Sequence, residues 1–353
     1  NEPADLQLQF QTNVQRTYHV FEFNNSQIEV CLDDGEIRTG KDQAKICEVE
    51  FELKQGSAQD LIEFAQTWVD KYQLWLDVRS KAERGNLLAM EKKSSPAAKA
   101  KSLKLDPNLS AEQALKLVIE NSLNHILPNA AAIAGGVAEA DHIHQARVGL
   151  RRLRSALKHF SNWSEHINPA WESELADIFR ALGQSRDHDA IRDSVIPLIK
   201  EVCDFDFALS SSTDPEIATR LSSSQTTQLF LSLLSFIYSE NESKNKLSRQ
   251  VSKSLTKLYH KILKDASQFP ELSIEQQHRT RKRVKQLRYC IDFTAGLYPE
   301  KQVQQFLDKL QPIQEYLGFY NDLFVAEQIF QQQVSEKPEF LFALGWIKAQ
   351  QRH

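Results

Sequence analysis

The chain has 353 residues, 41% of them apolar and 25% charged, with a formal net charge of −4. That length suits two or three domains rather than one, and the composition is that of a globular protein rather than a disordered or fibrous one. A slight acidity excludes coating of nucleic acid or membrane through bulk charge, so polyanion binding must be local.

The first 54 residues read as strands. Gln15–Phe23, Gln27–Leu32 and Ile46–Lys54 are rich in β-branched and aromatic residues, and Asp33-Asp34-Gly35 is a turn signal between them. Along Cys47-Glu48-Val49-Glu50-Phe51-Glu52-Leu53-Lys54 the alternation is strict, so Glu48, Glu50 and Glu52 share one face with Lys54. Three carboxylates on one strand face repel unless cations lie between them, and hard ions such as Mg²⁺ or Mn²⁺ take oxygen ligands of this kind. The bland alternative is a solvent-facing strand with mixed charge. Arg16, Glu29, Asp33, Glu36 and Arg38 lie on or beside the earlier strands.

Ala58–Tyr72 has Leu61, Ile62, Ala65 and Val69 at helical spacing. Leu74–Val78 is a short candidate strand, and Ser80-Lys81-Ala-Glu-Arg84-Gly85 places two cations near a glycine. Carboxylates holding a metal, with Arg and Lys clamping phosphate, would make a phosphoryl-transfer site. Residues 91–106, rich in Lys, Ser and Ala, read as a solvated linker after a first domain at 1–90. From 107 to 353 the pattern is helical, beginning with a capping box at Ser110 and Gln113.

This helical part repeats itself. His144, Arg147, Arg151 and Arg154 recur 134 residues later as His278, Arg281, Lys285 and Arg288. Offsets of 0, +3, +7 and +10 fall on one face of a helix and make a cationic stripe roughly 15 Å long. Leu150, Leu153 and Leu157 recur as Val284, Leu287 and Ile291 on the opposite face. Leu182-Gly183 and Asp187 recur as Leu317-Gly318 and Asp322 at an offset of 135. Two halves, about 110–209 and 228–345, are expected to pack about a pseudo-two-fold axis with both stripes toward one groove. Ser210–Thr227 divides them.

The first stripe sets Arg147, Arg151, Arg152, Arg154 and Lys158 against Asp141. The second sets Arg279, Arg281, Lys282, Arg283, Lys285 and Arg288 against Asp292. Acidic residues at i±4 are nearly absent, so the repulsion has little relief within the helix. A polyanion relieves it. Arg grips phosphate oxygens bidentately, and single-stranded nucleic acid would want aromatics interleaved for stacking. Only Tyr289 adjoins the second stripe, and Phe160 belongs to the apolar face of the first. Inorganic polyphosphate is therefore preferred over RNA, with nucleic acid disfavoured. Four dispersed cysteines, with no metal-binding spacing, point to buried or half-buried free thiols in a reducing, cytoplasmic setting. No apolar run reaches the length of a membrane span.

The strings HQARVGLRRLRSALKHF, LGQSRDHDAI, HRTRKRVKQLRYCIDF and LGFYNDLFVA resemble the two halves of a CHAD domain, a helical family associated with polyphosphate. The resemblance implies a polyphosphate groove lined by His144, Arg147, Arg151, Arg152, Arg154, Lys158, His278, Arg281, Lys282, Lys285, Arg288 and Tyr289. Gln286 and Asp292 stand where the first stripe has Arg152 and Lys158, so the distal end of the second stripe is expected to bind less tightly. IEVCLDDGEIR, CEVEFELKQGS and SKAERGNLL resemble the C-terminal half of a CYTH domain, an antiparallel tunnel family that includes metal-dependent triphosphatases. That implies metal ligation among Asp33, Glu48, Glu50 and Glu52, and triphosphate contacts from Arg16, Arg38, Lys54, Lys81 and Arg84. Of these, Lys54, Lys81 and Arg84 are the catalytic candidates.

The expected fold is thus α+β, a partial antiparallel β tunnel followed by an all-α tandem helical bundle. The family's opening ExExK strand is absent, so the chain is expected to be a piece of a longer protein. The parent would hydrolyse inorganic triphosphate, and this piece by itself would be inactive and open to dimerisation through its sheet edges. A non-catalytic polyphosphate-binding or granule-targeting module is the alternative, and an RNA-binding helical protein a weaker one.

Overall fold

A computed structural model describes residues 7–183, 191–192, 194–203, 215–241, 245–335 and 337–352. Three long strands, β1 (Gln11–Phe23), β2 (Ser26–Arg38) and β3 (Gln43–Gln55), form an antiparallel sheet in that order. The Asp33-Asp34-Gly35 turn does not exist. Those residues lie inside β2, where Asp33 pairs across with Arg16 on one side and Glu48 on the other. Arg16 opposite Asp33 favours the ladder, and Lys81 offsets the like charges of Asp33 and Glu48 across it. Gly35 is required by close approach, since a Cβ there would fall 2.1 Å from the Asn13 carbonyl oxygen. The reversal occurs instead after Phe23, where Asn24 takes φ 52°.

Helix α1 (Ala58–Tyr72), capped by the Ser57 hydroxyl, covers one sheet face. Leu61, Phe64 and Trp68 pack on Phe21, Phe23, Val49, Phe51 and Leu53. Its other side also carries apolar residues, and Ile62 and Val69 meet Leu231 and Leu234 of the helical part. The expected single stripe is therefore two, which is why α1 joins the sheet to the helices. Leu74–Val78 is not a strand; it leads irregularly into α2 (Lys81–Ala89), capped by Ser80.

Residues 91–106 carry no regular structure beyond a short turn, yet they are not a free linker. Asn129 hydrogen-bonds both backbone groups of Ala98 at 3.0 Å. His142 accepts the Glu139 N–H at Nδ1 and so donates from Nε2 to the Ser95 carbonyl, 2.9 Å away. Leu105 is buried in the helical core.

The helical part comprises, among the described residues, α3 (Ala111–Ala134), α4 (Ala140–Phe160), α5 (Ala170–Ala181), α6 (Ile196–Lys200), α7 (Pro215–Leu221), α8 (Ser224–Tyr238), α9 (Leu247–Ala266), α10 (Ile274–Thr294), α11 (Glu300–Gln333) and α12 (Phe340–Gln350). The Ser110–Gln113 capping box opens α3. Helices α4 and α10 begin and end 134 residues apart, as the repeat requires. Leu150, Leu153, Leu157, Val284 and Leu287 are buried, whereas Ile291 is half-buried.

The two halves do not keep separate cores. Leu287, Cys290 and Phe293 of α10 share one core with α3, α4 and α8, while Ile191, Val195, Ile196 and Ile199 pack with Phe330 of α11 and Phe340 of α12. Asp187 lies outside the described residues. Among the cysteines, Cys31 and Cys290 are buried and Cys203 is half-buried, but Cys47 is exposed.

Candidate functional site

Two sites emerge. The first is a cleft of about 990 Å³ between α4 and α10, closed at its sides by α5 and α11. Helix α4 supplies His144, Arg147, Arg151, Arg154 and Lys158. Helix α10 supplies His278, Arg281, Lys282, Lys285 and Tyr289. Arg180 of α5 adds an eighth Arg or Lys, against only two carboxylates, Glu172 and Asp322. Glu172 pairs with Arg154 at 2.8 Å, and Asp322 lies 3.8 Å from Arg281.

The stripes face each other closely enough to feel one another. Lys282 reaches solvent, but partial loss of water and the like charges of Arg154, Arg281 and Lys158 hold its pKa below the ordinary value. His278 is lowered likewise, first by burial and then by Lys282, against a raising hydrogen bond with Asn321. Both groups would gain from an anion between the helices.

Phe179 of α5 organises the first stripe. The guanidinium carbons of Arg147, Arg154 and Arg151 lie 4.6, 5.6 and 6.0 Å from its ring centroid, a cation–π arrangement that fixes three long side chains toward the cleft. Arg151 Nε is buried there without a hydrogen-bond partner. Gly183 lets Arg147 pass, since a Cβ at that position would sit 3.0 Å from Arg147 Nη1. Phe179, Arg180, Glu172 and Asn321 also line the cleft, and no repeat or periodicity in the sequence singles them out. Asp322 was visible as a repeated position.

Two expected groove residues are elsewhere. Arg152 is 5% exposed and points into the interface between α4 and α10. It stacks over Phe293, 4.5 Å from the ring centroid, and lies 3.5 Å from Asp292. Burial pulls the Arg152 guanidinium below its ordinary pKa and pushes the Asp292 carboxyl up. Arg288 is half-buried and does not line the cleft; it acts electrostatically on Asp292. The departures at Gln286 and Asp292 therefore have a packing role, because His159 also meets Gln286 at 3.0 Å. Position 152 contacts the repeat equivalent of 158, and 159 contacts the equivalent of 152. Such reciprocal pairing is what a two-fold axis between the helices produces.

The second site lies on the sheet face away from α1. Asp33, fully buried, accepts both Arg16 Nε at 2.7 Å and Arg16 Nη2 at 2.6 Å. Arg16 also reaches Glu50 at 2.7 Å. From α2, Lys81 Nζ lies 2.8, 2.5 and 2.7 Å from Asp33, Glu48 and Glu50, and Arg84 holds Glu48 at 2.6 Å. Hydrogen bonding from Arg16 and then Lys81 takes the Asp33 carboxyl down to about 2, against its burial. Lys81 is pushed up by the three carboxylates, against its burial.

The Asp33, Glu48 and Glu50 oxygens lie within 4.8 Å of one another, an all-oxygen set that fits a hard divalent ion. Glu52 is not among them. It pairs with Lys54 at 3.0 Å, and Lys54 with Glu29 at 2.9 Å, one register step along the face. Arg38, largely exposed, pairs with its strand neighbour Glu36. Strand separation thus removes Arg38, Lys54 and Glu52 from the cluster.

A helical repeat domain with a cationic cleft, set behind a charged three-stranded sheet, defines the class. The chain belongs to the CHAD domain family, which matches residues 117–331. The crystal structure of the CHAD domain from the plant Ricinus communis is similar over 73% of this chain and 92% of that one, at 28% identity and a TM-score of 0.59. The inorganic triphosphatase of Haemophilus influenzae is 42% identical over 85 residues. That stretch is 24% of either protein, so the chain spans about a quarter of the curated relative it matches. These similarities are what a CYTH–CHAD protein presents. Among the described residues no helix is long and apolar enough to cross a membrane.

Proposed function

We propose that the chain binds inorganic polyphosphate in the cleft between α4 and α10, and that the charged sheet face serves the hydrolysis of inorganic triphosphate. The carrying observation is the convergence of eight Arg and Lys side chains from three helices on one cleft holding two carboxylates. Each guanidinium can take two phosphate oxygens, and a linear anion offers such oxygens repeatedly. Nucleic acid is disfavoured because Phe179 is engaged by three guanidinium groups rather than left open for a base.

On the sheet, Asp33, Glu48 and Glu50 would hold Mg²⁺ or Mn²⁺, which supplies charge neutralisation for the phosphoanhydride when bound. Arg16 and Arg84 orient phosphate oxygens at the cluster's rim, and Asp33 fixes Arg16 through a bidentate contact. The reading is supported by the triphosphatase similarity and by the donor set. It fits a reducing compartment such as the cytoplasm, with four free cysteines. A purely binding role for the chain has support too, because Lys81 pairs with all three carboxylates and balances their charge.

Labelled polyphosphate competed against RNA at matched phosphate concentration tests the cleft; RNA winning would overturn it. Phosphate release from tripolyphosphate by the full-length protein, abolished by EDTA, tests the sheet. No turnover under any divalent ion leaves the binding role alone.

The cleft should also titrate. His278 is held below its ordinary value of 6.5 in the free protein, and an anion favours its protonated form. Proton uptake then accompanies binding, so affinity is expected to rise as pH falls from about 7 through 6. His278→Gln should flatten that profile, measured by fluorescence anisotropy at constant ionic strength.

A further inference from the structure

We infer that Lys81 is a built-in counter-ion of the carboxylate cluster, which a divalent metal must displace and which bound triphosphate then receives. The inference rests on the metal-site reading above. Its basis is geometric, because Lys81 Nζ lies within 2.5 to 2.8 Å of Asp33, Glu48 and Glu50, the same three groups whose oxygens converge tightly enough for a metal. An ammonium and a divalent ion cannot share that centre, since both need contact with the same oxygens and would repel at such a separation.

The fold also explains why a cation is kept there. Asp33 is fully buried, and a buried carboxylate without compensation is costly. Arg16 neutralises Asp33 and reaches Glu50, while Arg84 reaches Glu48. The inner oxygens of Glu48 and Glu50 are left to Lys81. Lys81 is the first residue of α2, and its stem can rotate away without unwinding the helix. Once displaced, its charge lies beside Arg16 and Arg84 on the face where a phosphate would approach. Metal and triphosphate binding are then positively coupled, each lowering the cost of the other by the displacement of one ammonium.

Mn²⁺ affinity of the full chain, measured by titration calorimetry and by the free-ion electron paramagnetic resonance signal, tests this without any turnover. Lys81→Met and Lys81→Gln are expected to bind Mn²⁺ about 10-fold or more tightly than wild type, within the usual range of coupling, and to lose the enhancement that imidotriphosphate gives wild type. Lys81→Arg, which keeps the charge, should stay within about threefold of wild type by the same argument. Wild type binding Mn²⁺ with Lys81→Met and Lys81→Gln no tighter would overturn the counter-ion role and leave the metal site standing. Wild type and all Lys81 variants failing to bind Mn²⁺, with Glu48→Gln indistinguishable from them, would remove the metal site and this inference together. Circular dichroism confirms folding of each variant, and the Gln variant preserves length and polarity should Met disturb the cluster.

Discussion

Replacing Arg151 and Lys282 together by glutamate is expected to weaken polyphosphate binding about 100- to 1000-fold, because two charge-assisted contacts of roughly 1.5–3 kcal/mol each are lost and reversed. The two residues come from opposite walls of the cleft, so the double variant tests whether one ligand bridges both helices. Arg151 Nε is buried without a hydrogen-bond partner, and Lys282 is held among three like charges, so a bound anion would gain at both positions. The slope of affinity against salt should flatten as well, since fewer counter-ions are released on binding. Arg279→Glu is the control: Arg279 lies on the same helix and is exposed, but does not line the cleft. If the double variant binds within threefold of wild type, or Arg279→Glu is as damaging, charge is acting diffusely and the cleft is not the binding site.

The second large effect concerns stability. Asp292→Ala should cost about 2–4 kcal/mol in denaturant unfolding, less than a fully enclosed ion pair because Asp292 remains partly open to solvent. It strands the Arg152 guanidinium, which burial already disfavours, between α4 and α10 with Phe293, Tyr289 and a long contact to Asn121 as its remaining company. The double replacement Arg152→Met with Asp292→Leu should restore most of the loss, since apolar side chains of similar volume remove both desolvated charges at once. A loss under 0.5 kcal/mol for Asp292→Ala, or no recovery in the double variant, would show that the pair does not hold the repeats together. Neither change should weaken polyphosphate binding much, as neither residue lines the cleft.

These two experiments separate what the repeat encodes. Most of the cations that recur at the same offsets, such as Arg147 with Arg281 and Arg151 with Lys285, line the shared cleft, Arg288 being the exception. Residues that break the repeat, Arg152 against Gln286 and Lys158 against Asp292, include those that fasten one half to the other. An interface on a pseudo-two-fold axis meets its own copy, and a repeat kept unchanged would set like charges against each other there. One member of each pair must change to an acceptor. The sequence shows the break but not its use, since a lost cation reads most simply as weaker ligand binding.

On the sheet the same limit applies differently. Alternation along β3 correctly puts Glu48, Glu50 and Glu52 on one face, because a strand's side-chain period is two. It cannot say that Glu52 shares Lys54 with Glu29 while Glu48 and Glu50 are gathered around Lys81. That depends on where α2 lands, and α2 is placed by Gly85 against Phe10, where a Cβ would be 2.3 Å from the ring.

Sequence by itself determined the helical and strand periods, the repeat and its two cationic stripes, the Ser110 cap and the charged face of β3. Each follows from local geometry, where spacing along the chain maps directly onto one face of an element. Only the tertiary structure decided that Arg152 turns inward, that Arg38, Lys54 and Glu52 leave the carboxylate cluster, that Phe179 gathers three arginines, and that Lys81 occupies the cluster's centre. Those outcomes are set by which elements meet and by the cost of burying an unpaired charge, and neither is written in the spacing of one segment.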